Sequence, residues 1–220
     1  MGTPSFAVPI LKALHKKKYL ISATYTQPPQ KSQRGQRYNK SPIHVISEEL
    51  NIECRTPRIL KGNNEEFNFF KKLDVDIVIV VAYGQIIPND FLDLSKKGFI
   101  NIHASLLPKW RGAAPIQRSI INLEKETGIS IMKIGEKLDT GPVCNSYKID
   151  IKENDNAETI STKLSILASE KISENIDGIL DDTVRFKEQD HNNATYASKI
   201  KKSEGEIKWS DNAENIIGKI

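Results

Sequence analysis

A chain of 220 residues with 38% hydrophobic and 27% charged residues has the apolar content of a soluble globular protein, enough for one domain of good size or one plus part of another. Its longest apolar run, residues 77–82, is far too short to span a bilayer, and no basic flank followed by an apolar signal region opens the chain, so a cytoplasmic protein without a membrane partner is expected. A net charge of +4 suits a polyanionic partner without demanding one, and Cys54 and Cys144 offer neither metal-ligand spacing nor a disulfide framework, so no metal is expected.

Gly2-Thr3-Pro4 is followed by neither a dinucleotide fingerprint nor a P-loop lysine, so nicotinamide and ATP are not implied. Residues 4–18 predict a helix, with Phe6, Ile10, Leu11 and Leu14 on one face and a basic last turn that suits the helix dipole. Residues 20–26 predict a strand. Lys31, Arg34, Arg37 and Lys40 then fall in a stretch with no acid, which predicts a mobile basic loop, either a solvated turn or a phosphate contact. Tyr38 within it is a candidate for stacking on a base or for a simple hydrophobic lid. Ser41-Pro42 pairs a cap residue with proline at the first helical position, and Asn51 closes that helix before a short strand at 52–54. A third helix is expected over about 64–73. The β-branched run 76–82 predicts a strand buried on both faces of a parallel sheet, with residues 83–88 as a loop beyond it. Farther on come a strand ending at 103, a helix over 113–123, paired strands at 129–134 and 143–151, and a long amphipathic helix over 157–180. Strands alternating with helices imply an α/β fold with a doubly wound, mostly parallel sheet.

The chemistry concentrates around residue 103. Gly98-Phe99-Ile100-Asn101-Ile102-His103 alternates like a strand, so Asn101 and His103 project from the same face. Pro108 and Gly112 break the chain soon afterwards, which sets the pair at a carboxyl edge, where open α/β sheets keep their sites. The Asp139-Thr140-Gly141-Pro142 turn is able to bring a carboxylate to the same place. These groups suit acyl transfer to an amine: Asn101 and a protonated His103 are donors for a tetrahedral oxyanion, and Asp139 accepts the amine's proton directly or through water. A bare Asn/His/Asp trio also arises in loops and caps for local backbone reasons. His15, His44 and His191 sit where surface or capping roles are expected, and Trp110 beside Arg111 reads equally as pocket wall or packing anchor.

The wider pattern decides between these readings. Gly2-Thr3-Pro4-Ser5-Phe6-Ala7, Thr26-Gln27-Pro28, Asn101-Ile102-His103-Ala104-Ser105-Leu106-Leu107-Pro108, Lys137-Leu138-Asp139-Thr140-Gly141 and Thr195-Tyr196-Ala197-Ser198-Lys199 stand in order along the chain. In this the chain resembles the methionyl-tRNA formyltransferases, within the superfamily that uses 10-formyltetrahydrofolate. The resemblance implies a Rossmann-like formyltransferase sheet, with Asn101, His103 and Asp139 as the catalytic trio. It implies Ser105, Leu106, Leu107 and Pro108 as the folate-binding segment, with residues 83–88 and 132–138 enclosing the pterin. It also implies Arg34 in a loop that reaches for the acceptor end of tRNA. The donor is then 10-formyltetrahydrofolate, the acceptor is initiator methionyl-tRNA, and the enzyme is expected to be a monomer.

Members of the family begin with an apolar strand before the GTP turn, whereas Met1 is the only residue before Gly2, so a missing first strand is expected. A truncated C-terminal β-rich domain is expected too, because a helical pattern starting near Trp209 stops at Ile220. The resulting organisation is a catalytic domain over 1–186, a linker over 187–206, and the start of the truncated tRNA-binding domain over 207–220. The alternatives are a formyltransferase for a small amine, such as a sugar nucleotide or glycinamide ribonucleotide, and a catalytically inactive folate- or tRNA-binding fragment.

Overall fold

A computed structural model describes residues 1–31 and 38–219. They form two compact units, residues 1–102 with 168–185 and residues 103–167 with 186–220. Among the described residues, no helix is long and apolar enough to cross a membrane, and no group of three or more His, Cys, Asp or Glu is arranged to hold a metal ion.

The first unit is built around parallel strands. A 3-10 turn, Ser5–Ala7, leads into α1 (Val8–Lys16), which buries Ile10, Leu11 and Leu14 at the spacing expected of one helical face. After β1 (Thr24–Tyr25), the short strands β2 (Gln30–Lys31) and β3 (Tyr38–Asn39) pair antiparallel, Gln30 with Asn39 and Lys31 with Tyr38. Next come α2 (Pro42–Glu49), β4 (Cys54–Arg55), α3 (Asn64–Lys72), β5 (Val78–Val80), the short α4 (Asn89–Leu92) and β6 (Phe99–His103), whose last residue begins the second unit. The caps of α2 and α3 are visible in the sequence: the Ser41 hydroxyl accepts from the His44 N–H at 3.0 Å, and the Asn63 side chain from the Glu66 N–H at 3.1 Å.

Strand β1 pairs with β4 and strand β5 with β6, both in parallel. Met1 and Gly2 lie between the two pairs: the Gly2 N–H donates to the Tyr25 carbonyl, and the Val81 N–H to that of Met1. The order β4, β1, Met1-Gly2, β5, β6 starts in the middle, runs outward one way and then crosses to the other side. That is the doubly wound pattern, with its switch point beside Gly2. At this point the Thr3 hydroxyl donates to the Tyr83 carbonyl at 2.8 Å, tying together the loops that leave the two central positions. A cavity of about 330 Å³ borders Met1 in this unit, lined by Ile10, Leu14, Ile21, Tyr25, Val75 and Ile79 among others.

Two expected strands are shorter than their apolar runs. Of residues 20–26 only Thr24 and Tyr25 form a ladder, and Leu20 is 93% exposed; of 76–82 the strand proper is Val78–Val80, with Val81 in an isolated bridge to Gly2. Hydrophobicity marks residues able to sit in a sheet, whereas a ladder needs a neighbouring backbone, and β4 offers β1 only two partners. The expected basic loop also differs at its ends, which form the β2–β3 ribbon, with the Lys31 ammonium 5.8 Å from the Tyr38 ring centroid. Lys40 is paired with the Glu48 carboxylate at 2.5 and 2.7 Å, so its charge is already neutralised.

In the second unit, β7 (Arg111–Gly112) is followed by α5 (Pro115–Ile121), and the long strands β8 (Glu126–Lys133) and β9 (Val143–Asp150) form an antiparallel hairpin with a register shift between Ile131 and Met132. The helix α6 (Ala157–Leu180) begins where the Asn156 side chain accepts from the N–H groups of Glu158 and Thr159; it buries Ile160 and Leu164 in this unit and, in its later part, which belongs to the first unit, Ala168, Ile172, Ile176 and Ile179. Each such isoleucine or leucine contributes about 1.5–3 kcal/mol of burial. Residues 187–206 carry β10 (Tyr196–Ala197), which pairs in parallel with β7, and Glu204, whose carboxylate takes a two-pronged contact from Arg118 at 2.7 and 3.2 Å. A last short helix, α7 (Ala213–Ile217), follows.

Candidate active site

His103 closes β6 and is 7% exposed. Its Nε2 lies 2.8 Å from the Trp110 carbonyl, and because a carbonyl only accepts, this nitrogen carries a proton. The other edge, Nδ1, faces Asp139, with Oδ2 at 3.7 Å, an ion-pair rather than a hydrogen-bond distance. Asn101 precedes His103 by two residues on the same strand, half-buried between buried neighbours, so the pleat turns both side chains the same way.

The carboxylate of Asp139 is fixed from the other direction by the Gly112 N–H, which donates to the same Oδ2 at 2.8 Å. Gly112 fills a conformation few residues adopt, with φ at 119°, and a Cβ there would lie 2.8 Å from the Ala197 carbonyl oxygen of β10. Asp139 itself is left-handed at φ 51°, a region open to aspartate at a modest cost. The turn is locked behind it by Gln189, whose side-chain amide donates to the carbonyls of Asp139 at 3.0 Å and of Gly141 at 2.7 Å.

The segment read as folate-binding is held by β8. The Ser130 hydroxyl donates to the Ser105 carbonyl at 2.8 Å and accepts from the Leu107 N–H at 3.0 Å. Ser105 is fully buried and its own hydroxyl donates to the Lys109 carbonyl at 2.6 Å, so it shapes the turn, while Leu106, Leu107 and Pro108 remain half-buried. Trp110, at φ 59°, contributes its carbonyl to His103, and its indole N–H is buried with no hydrogen-bond partner among the described residues. Trp110 and Pro108 also border a second cavity of about 630 Å³, together with Leu106, Lys109 and Thr195.

His103 and Asp139 therefore meet, and Asn101 shares the face of His103. Arg34 lies outside the described residues. Several groups that build the site were not singled out by sequence: the Gly112 N–H, Ser130 and Gln189. His191 is exposed, as expected, and its Nδ1 lies 2.9 Å from the Arg111 guanidinium and accepts from it. Arg111 is 2% exposed, a buried cation.

Residues 1–176 match the family model for the formyl transferase domain. A methionyl-tRNA formyltransferase from Pelagibacter ubique is 74% identical over 220 residues, all of this chain and 71% of that protein. One from Brucella ovis is 41% identical over 221 residues, covering all of this chain and 72% of that protein. The solved N-formyltransferase from Helicobacter canadensis, in complex with folinic acid and dTDP-3-aminofucose, superposes with a TM-score of 0.75 at 22% identity over all of this chain and 77% of its own, a likeness of fold.

Proposed function

The chain belongs to the formyl transferase family, and we propose that it transfers the formyl group of 10-formyltetrahydrofolate to the α-amino group of methionyl-initiator tRNA. The observation that carries this reading is the 74% identity along the whole chain to a methionyl-tRNA formyltransferase. The half-buried Leu106, Leu107 and Pro108, together with the buried indole N–H of Trp110, which has no hydrogen-bond partner among the described residues, are a chemically fitting wall for a flat heteroaromatic with polar edges. The folate supplies an activated formyl carbon.

The protein's own groups then divide the work. Nε2–H of His103 is committed to the Trp110 carbonyl, so donation to the formyl oxygen falls to Nδ1–H of the protonated ring, together with the Asn101 amide. Asp139, held by the Gly112 N–H and facing the same Nδ1, takes the proton shed by the attacking amine. The amine attacks directly, the C–N bond to the folate breaks with its electron pair going to the folate nitrogen, which takes up a proton from the His103–Asp139 pair, and no covalent bond to the protein forms. The reading also has the protein acting as a cytoplasmic monomer, with Arg34 contacting the tRNA.

The test offers the purified protein 10-formyltetrahydrofolate and three acceptors in parallel: charged initiator tRNA, an amino-sugar nucleotide and glycinamide ribonucleotide. Formyl-methionyl-tRNA as the dominant product is expected. Formylation of a small amine in preference to the tRNA would replace this reading with that of a small-amine transferase, and folate binding without any transfer would leave only a binding fragment.

A further inference from the structure

Asp139 is set by a closed ring of contacts, and we infer that Gln189 is a positioning residue for the transfer reaction, carried by the buried cation Arg111 and acting through Asp139. Gln189 is 8% exposed and uses both ends of its amide. Its Oε1 accepts from Arg111 Nε at 3.1 Å and Nη2 at 2.7 Å. Its Nε2 donates to the Asp139 and Gly141 carbonyls at 3.0 and 2.7 Å. The guanidinium thereby dictates which way the amide is flipped: an oxygen must face the cation, so the N–H₂ must face the turn. Arg111 adjoins Gly112, whose N–H holds the Asp139 carboxylate at 2.8 Å. Side chain and backbone of one two-residue strand thus grip the turn from both ends, the backbone taking the carboxylate and the side chain, through Gln189, taking the peptide carbonyls.

Two features separate this arrangement from ordinary packing. Asp139 is left-handed at φ 51°, a conformation aspartate adopts at modest cost, and Gln189 secures it from 50 residues away by binding its carbonyl. The cation is met by neutral acceptors, the Gln189 oxygen and His191 Nδ1, which leaves the Asp139 carboxylate directed at Gly112 and His103. An acid at position 189 would serve Arg111 better as a partner for its charge, yet it would present oxygen to two carbonyl oxygens and release the turn.

That contrast supplies the experiment, which rests on the reading of Asp139 as proton acceptor. Gln189→Glu keeps an acceptor for Arg111 and removes both donors to the turn. With wild-type transfer established first, kcat is expected to fall about 10- to 100-fold, the size of effect produced by ångström-scale misplacement, with KM for both substrates nearly unchanged and the thermal midpoint lowered by several degrees at most. In an Asp139→Asn background the same substitution should change kcat by less than about twofold, because its route of action is already cut. His191→Ala trims the same chain at an exposed position that threatens no folding, and should lower kcat about threefold, again only when Asp139 is intact. An unchanged kcat in both single variants, or equal losses in the two backgrounds, overturns the inference. Absence of transfer by the wild-type protein would instead reject the functional reading, and is scored separately.

Discussion

Two arginines organise buried polar clusters in this protein, and they do so in opposite ways. In the first unit Arg55 meets the Glu66 carboxylate at 2.6 and 3.3 Å, and the Tyr25 hydroxyl donates to the same carboxylate at 3.1 Å. Burial and that charge together push the Tyr25 hydroxyl well above its ordinary range, and the hydrogen bond to Glu66 raises Arg55. Cation and anion cancel inside the cluster, which has stability as its only evident product. In the second unit Arg111 is met by an amide oxygen and an imidazole nitrogen, while Asp139 is directed at His103. The lesson is that the Glu66 carboxylate is spent on its own arginine, whereas Asp139, held by a backbone N–H on its carboxylate and a neutral amide on its carbonyl, turns that carboxylate toward His103.

The comparison breaks most visibly at His103. His103→Ala should lower the formyl-transfer rate by about 10²–10³ or more while leaving the thermal midpoint within a few degrees, and a rate near wild type would remove the site from this end of β6. The opposite signature belongs to the other cluster. Glu66→Ala leaves Arg55 and the buried Tyr25 hydroxyl without their shared partner; part of Arg55 remains in water, so the expected loss is about 2–3 kcal/mol, or roughly 5–10 °C in midpoint, with kcat per folded molecule unchanged. A large kcat effect there would erase the distinction between the two clusters.

Arg34, outside the described residues, serves as a control for the comparison. Arg34→Ala should weaken tRNA binding and reduce the slope of log affinity against log salt by about one, with no change in midpoint; an unchanged slope would show that it touches no phosphate. The smallest effect is expected at a third arginine, Arg118, whose hydrogen bonds lower the Glu204 carboxyl from 4.5 to about 2. A depressed carboxyl contributes stability above its unfolded value that is lost as pH falls toward the folded one. The thermal midpoint should therefore drop slightly more steeply between pH 4.5 and 2 in the wild type than in Glu204→Gln, and superimposable curves would mean that this half-buried pair adds nothing.

Much of this was legible in the residues. The helix over 157–180, the Ser41-Pro42 start of α2, and the convergence of His103 with the 139 turn follow from periodicity, cap chemistry and the motif around 101–112. Contacts that leave no periodic trace were not. Gln189 stands in a polar stretch that reads as linker, and its burial arises from pairings across the chain: Tyr196 with Arg111, Ala197 with Gly112. The one hint was Gly112 itself, since a glycine directly after a strand-ending segment marks a close backbone approach, here to Ala197. The lengths of β1 and β5 were overread for a related reason: apolar runs record what sheet positions tolerate, while partners determine how much of a run pairs.

The most direct test of the account is a single-turnover measurement of formyl transfer to charged initiator tRNA by Asp139→Asn at saturating 10-formyltetrahydrofolate. The change keeps the shape and the bond from the Gly112 N–H while removing the base, so the rate should fall at least about 10²-fold with donor affinity and thermal midpoint preserved. A rate within about threefold of wild type would contradict the assignment of Asp139 as the group that takes the proton.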